Sequence, residues 1–185
     1  MDLTSINLVQ QISANVTSTS GLEGSVRVGG TNTTALTTTN ADSIFAFSLT
    51  SGNTANTVIW NIDTSSLEIA STSSAGDNLI SSNPVGASGS PSKIIDAAGA
   101  QVANSATVVA IYYETPKANV GDVTITTGGS NANKLGGTFV LDGDAGTSSR
   151  SALLVPRFSI SSGNKVTFTW TNSGDTIKVV CLAKD

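Results

Sequence analysis

The feature that most restricts this chain is a succession of short β-branched or aromatic runs broken by clusters of Gly, Asn, Asp and Ser. Ile44–Leu49, Thr57–Ile62, Ala106–Glu114, Asp122–Thr126, Thr138–Leu141, Lys165–Thr171 and Thr176–Ala183 are the clearest runs. Ile6–Ile12, Ser25–Val28, Leu67–Ala70, Leu153–Val155 and Arg157–Ile160 are weaker. Such side chains suit a pleated, half-buried surface, and turn residues at this spacing separate the strands of a sandwich or barrel.

Several runs alternate with period two. Val166, Phe168 and Trp170 fall on one face of Lys165–Thr171, with Lys165, Thr167, Thr169 and Thr171 on the other, because successive strand residues point to opposite sides. Ile177, Val179 and Cys181 share a face of the next run, opposite Lys178, Val180 and Leu182. Its second face is not plainly polar, so this strand is expected at the centre of a sheet or beneath another protein. Asn172-Ser173-Gly174-Asp175 lies between the two runs, and its turn chemistry predicts a hairpin.

Ala106–Tyr113 is apolar except at Thr107, the pattern of a strand covered on both faces. Pro116 ends it, since Pro has no N–H for a central ladder. Pro156 likewise divides Leu153–Val155 from Arg157–Ile160, which reads as an edge strand or one that bends between sheets. Ser92–Asn104 offers the one helical spacing, with Ile94, Ile95, Ala98 and Val102 on a face, although Asp96-Ala97-Ala98-Gly99 equally suits a turn between two short strands. Thr31–Asp42, Ser71–Ser92 and Gly143–Ser151 read as long polar loops of the kind a partner orders. Residues 1–20 change character and are expected to be an N-terminal arm or a first strand, ahead of a single domain over 21–185.

Only 12% of residues are charged, against a usual figure of about 25%. The 25 Thr and 27 Ser, with Asn, must therefore keep the surface wet, while a hydrophobic fraction of 38% leaves material for one core. A net charge of −4, with three arginines and six lysines scattered along the chain, supplies no phosphate-binding array and argues against nucleic acid. The N-terminus has no basic start or unbroken apolar stretch, and no run reaches the ~18 apolar residues of a membrane span. The chain is therefore expected to be made and folded in a cytoplasm, without a signal peptide and without a membrane partner.

His is absent and Cys181 is the single cysteine, so no Ser–His triad and no ordinary zinc site can be built, and Cys181 reads as a buried strand thiol. Asp142-Gly143-Asp144 opens like a calcium loop but lacks the third acidic ligand and the closing Glu; a turn is the simpler reading. Gly29-Gly30, Gly128-Gly129 and Gly136-Gly137 lack the Lys-Ser/Thr of a phosphate loop and read as turns or bulges. Trp60, Tyr112, Tyr113 and Trp170 are potential sugar-stacking residues, with core packing the safer assignment. Asn15-Val16-Thr17 and Asn32-Thr33-Thr34 match the glycan acceptor pattern by composition alone. No catalytic, cofactor-binding or metal-ligating residue emerges, and no cofactor is expected.

In texture the chain resembles the decoration or cement proteins of tailed-phage capsids. The residues that carry the resemblance are Gly121-Asp122-Val123-Thr124-Ile125-Thr126, Ala152–Ile160 and Gly163–Trp170. The resemblance implies a jelly-roll-like antiparallel β-sandwich and a non-catalytic structural role in the virion. It also implies a homo-oligomer, a trimer above all, held on a major capsid protein or another shell protein. A carbohydrate- or receptor-binding module of a fibre or adhesin, and a tail or minor capsid subunit, are the alternative expectations.

Overall fold

The computed structural model describes residues 6–17, 25–36, 43–52, 57–71, 73, 79–96, 99–143, 146, 148–154 and 158–184, with 6–17, 25–36 and 43 as backbone. In chain order the strands are β1 (Ile6–Thr17), β2 (Ser25–Leu36), β3 (Ser43–Thr50), β4 (Thr57–Asn61), β5 (Ser66–Ile69), β6 (Ile80–Ser81) and β7 (Ser92–Lys93). They continue as β8 (Thr107–Thr115), β9 (Val123–Gly128), β10 (Thr138–Leu141), β11 (Arg150–Leu154), β12 (Phe158–Ser159), β13 (Lys165–Trp170) and β14 (Thr176–Lys184). The described helical structure is one 3-10 turn, Ala132–Leu135.

Two antiparallel sheets pack face to face, ordered β10-β9-β13-β4-β5-β7 and β11-β8-β14-β3-β6. Eight of these strands pair as nested partners: β3 with β14, β4 with β13, β8 with β11 and β9 with β10. Rolling that nested ribbon brings β14 beside β8 and β13 beside β9, which is the strand order of a jelly roll. The segment between β4 and β8 adds β5 and β7 outside β4, and β6 outside β3. The all-β sandwich expected from the sequence is therefore present.

The core forms between the inward rows. Val166, Phe168 and Trp170 of β13 face Ile177, Val179 and Cys181 of β14, and all six are buried. Edge-to-face aromatic pairs run from Phe45 to Trp60 at 6.0 Å, Trp60 to Phe47 at 5.4 Å, Phe47 to Phe168 at 6.3 Å and Phe168 to Tyr113 at 6.2 Å. This geometry sets the positive ring edge on the negative face of its neighbour.

β8 carries a bulge. Val109 and Ala110 together oppose Leu182, while Val108 and Ile111 stay in register with Ala183 and Cys181. The extra residue keeps Val108 and Ile111 in the main core and turns Val109 and Ala110 into a second cluster with Leu182. That explains why the run lacks alternation: β8 is covered on both sides.

The structure corrects three expectations and decides a fourth that the sequence left open. β13 and β14 do not form a hairpin, since β13 pairs with β4 and β9, whereas β14 pairs with β3 and β8. Two adjacent strands with apolar rows pack equally well across a core as beside one another. Here Asp175 anchors the crossing from one sheet to the other. The described residues of Ser92–Asn104 form no helix: Val102 N–H donates to Ile94 C=O at 2.8 Å, and Asp96 N–H to Ala100 C=O at 2.8 Å. Asp96 Oδ1 also accepts Ala100 N–H at 2.9 Å, and Gly99 sits at φ +81°, so the turn alternative holds and the Asp side chain outcompetes a helix.

Another correction concerns the expected loop Thr31–Asp42, because Thr31–Leu36 belongs to β2. Its last six residues lie outside the described set. Gly29 and Gly30, read as a turn or bulge, instead sit in mid-strand opposite Ser13 and Ile12. β11 and β12 line one edge of β8 on either side of Pro156, so that region is an interrupted edge strand; Pro156 itself is not described.

Candidate interaction surfaces

The loops at one end of the sandwich meet on Asp175, which is 3% exposed. Its Oδ1 accepts Val120 N–H at 2.9 Å and its Oδ2 accepts Gly121 N–H at 2.6 Å. Its backbone C=O accepts Ser51 N–H at 2.9 Å. Asn119, also buried, exchanges two bonds with Thr176: Nδ2 to the Thr176 C=O at 2.8 Å and Thr176 N–H to Oδ1 at 2.9 Å. Asp122 Oδ1 takes Gly143 N–H at 3.0 Å, so the loop after β10 joins the same knot. With Asn172 Nδ2–H adding a longer bond to Oδ1 at 3.4 Å, this buried carboxylate clamps the loops together. Above it Val120 stands 62% exposed.

A second hub closes the other end. Asn164, fully buried, accepts Ser161 N–H at 2.9 Å and Asn131 Nδ2–H at 3.1 Å on its Oδ1. Gly163 N–H reaches Asp63 Oδ2 at 2.9 Å. These hubs were not legible as such, because Asp175, Asn119, Asn131 and Asn164 look like ordinary turn residues in a chain rich in them. Their position beside a strand end was the available signal.

The two outward faces differ in chemistry. On the sheet containing β9 and β13, the register lines up Thr138, Thr126 and Thr167 in one row and Thr124, Thr169 and Thr57 in the next. Hydroxyls fill the middle of this face, with Ile59 continuing the first row and exposed Val140 the second. On the other sheet Val109, Ala110 and Leu182 are buried outside the main core, and half-buried Ile44 and Leu153 pack against them. Val180 and Tyr112 lie in register on the same face. Burial raises the Tyr112 phenol above its ordinary pKa, helped by its bond to Glu114 Oε2 at 2.8 Å.

The apolar face runs into a groove of about 540 Å³ beside β3, lined by Ile44, Phe45, Ala46, Asn83, Ile95 and Val180 among others. β6 pairs with β3 at Leu49 and Thr50. Farther along, Ser82 N–H bonds Ser48 C=O at 3.1 Å. Toward Ile44 no further strand pairs with this edge of β3 among the described residues, and Asn83 Nδ2 donates to the Ala46 C=O at 3.5 Å beside the groove.

The remaining sequence candidates are dispersed. Trp60, Trp170 and Tyr113 are buried in the core, so they form no stacking platform with Tyr112. Cys181 is buried, and burial pushes its thiol well above the ordinary range. Asp142 is exposed at the end of β10, while Asp144 lies outside the described residues. Among the described residues no group of three or more Asp, Glu, Cys or His is gathered to hold a metal ion. No described helix is long and apolar enough to cross a membrane. Gly128 closes β9, and Gly129 and both Gly136 and Gly137 take positive φ in turns. Asn15 and Asn32 occupy β1 and β2.

No model of a known protein family, no curated protein and no solved structure matches this chain.

Proposed function

We propose that this chain is a non-catalytic structural protein that decorates and stabilises a viral or phage shell as a homo-oligomer. The observation that carries the reading is the half-buried apolar strip of Ile44, Tyr112, Leu153 and Val180 on the outer face of β11-β8-β14-β3, which continues into the groove beside β3, with the Lys178–Glu114 pair as the charge at its margin. A solvent-facing sheet surface is normally polar, and an open edge is normally blunted by charge or covered. Here charge is scarce, so cover by neighbouring subunits is the economical solution. Jelly rolls serve capsids, lectins and cupins alike, so the fold by itself does not choose among them. The burial of Trp60, Trp170 and Tyr113 weighs against the sugar-binding alternative, which needs accessible rings.

In this reading the partners are a major capsid protein, or another shell protein, and copies of the chain itself, with the trimer as the order the resemblance implies. The protein resides in the virion and engages neither nucleic acid nor membrane. The test is sedimentation of the tagged chain from its native cells, followed by electron microscopy of the fast fraction. Regular density on a shell is expected, and it should vanish in an Ile44→Lys/Val180→Lys variant that melts like the parent. A chain that stays in the slow fraction and binds a glycan array overturns the reading in favour of a carbohydrate-binding module.

A further inference from the structure

β1 and β2 pair with each other and form a sheet apart from the two sheets of the sandwich. Their twelve residue pairs run unbroken from Ile6 opposite Leu36 to Thr17 opposite Ser25, about 40 Å of ribbon at ~3.4 Å per residue. Directly opposed residues share a face, so the register sorts this ribbon by parity. Ile6, Leu8, Ile12, Ala14, Val16, Val26, Val28 and Leu36 occupy eight of the twelve positions on one face. Gln10, Thr34, Asn32 and Gly30 complete it, and no charged residue belongs to it. Arg27, the single charged residue of either strand, lies on the other face opposite Asn15.

A two-stranded ribbon is marginal in water unless a third element covers its apolar side. We infer that the cover is the same face of a second copy of this chain. An uncharged face meets its own kind without repulsion, and an identical patch on each partner is what a closed isologous contact requires. The area also fits. Seven of the eight residues are larger than Ala, and at roughly 60–120 Å² buried for each they supply about 400–800 Å² per copy, against the ~800 Å² per partner of a standard stable interface. Stacked ribbons would lie ~10 Å apart, as sheets in a sandwich do. The inference deepens the homo-oligomer reading above and rests on it for its purpose, but it makes the unit a two-fold dimer in place of the trimer that the resemblance implies, and its chemistry stands on the register alone.

The experiment uses the purified full chain without any particle, with mass measured by sedimentation equilibrium across a concentration series. The parent should self-associate. Ile12→Lys/Val28→Lys, which charges the apolar face, should return the mass to 18.6 kDa. Gln11→Lys/Ser13→Lys, which adds the same charge to the other face, should leave the oligomer intact. Emission from the core residues Trp60 and Trp170 checks that the sandwich persists in both variants. A parent that is monomeric at every concentration overturns the inference, as does equal dissociation by the two variants. A self-associating chain that ignores particles sinks the capsid reading alone, and particle binding by a monomer sinks the pairing alone.

Discussion

Removing the Asp175 carboxylate should loosen a whole end of the sandwich. Two main-chain donors, Val120 N–H at 2.9 Å and Gly121 N–H at 2.6 Å, end on this one buried side chain. Hydrogen bonds to a charged acceptor contribute roughly 1.5–3 kcal/mol each. Asp175→Asn keeps one oxygen and turns an N–H toward an N–H at the other position, so about 2–3 kcal/mol should be lost. In a domain of this size each kcal/mol lowers Tm by about 2–4 °C, which places the Asn variant about 4–12 °C below the parent. Asp175→Ala leaves both donors bare and should cost more, about 3–5 kcal/mol. Thermal melts followed by the emission of buried Trp60 and Trp170 read the effect directly. Exposed Asp142→Asn serves as control, with a change within about 0.5 kcal/mol. A parent-like Tm for Asp175→Asn, or an Ala variant no worse than the Asn variant, refutes the clamp.

Other outcomes follow from the same coordinates. Burial raises the pKa of Tyr113 and of Cys181 above their unfolded values; both groups are thus bound to their protons more tightly when folded. Their contribution to stability is full below about pH 8.5 and is lost as pH rises past the unfolded thiol and phenol values near 8.5 and 10, so denaturant midpoints should fall on the alkaline side and Cys181 should resist alkylation until the chain unfolds. Gly86→Ala should destabilise by about 1–3 kcal/mol or more through overpacking, since an added Cβ would sit 2.7 Å from Ser92 N and 2.8 Å from Pro91 C; urea denaturation measures it. Lys178→Ala, which breaks the exposed 3.4 Å ion pair with Glu114, should shift the same midpoint by no more than about 1 kcal/mol.

Strand existence was legible in this sequence because inward and outward rows differ in hydropathy residue by residue. Thr138–Leu141 matches β10 to the residue, and Val166, Phe168 and Trp170 lie inside as alternation requires. Pairing was not legible. Nothing local tells β13 to take β4 and β9 as neighbours while β14 takes β3 and β8, since the same apolar rows satisfy a hairpin. The Asp96 turn illustrates the same limit at short range: Ile94 and Val102 suit a helical face and a hairpin equally, and an Asp side chain bonded to Ala100 decides. The hubs at Asp175 and Asn164 were hidden for a different reason. Burial of a polar residue depends on distant loops converging, and composition carries no trace of that convergence.

The place of β14 between β8 and β3 has a consequence for biosynthesis. Its partners leave the ribosome far earlier, yet they have no direct ladder between them to hold them while they wait. Synthesis must pass residue 184 before that seam can close, so a chain stalled short of β14 exposes two hungry margins to proteases and chaperones. Such long-range closure is also intrinsically slow, so the seam should form only after the ribosome has released residue 184.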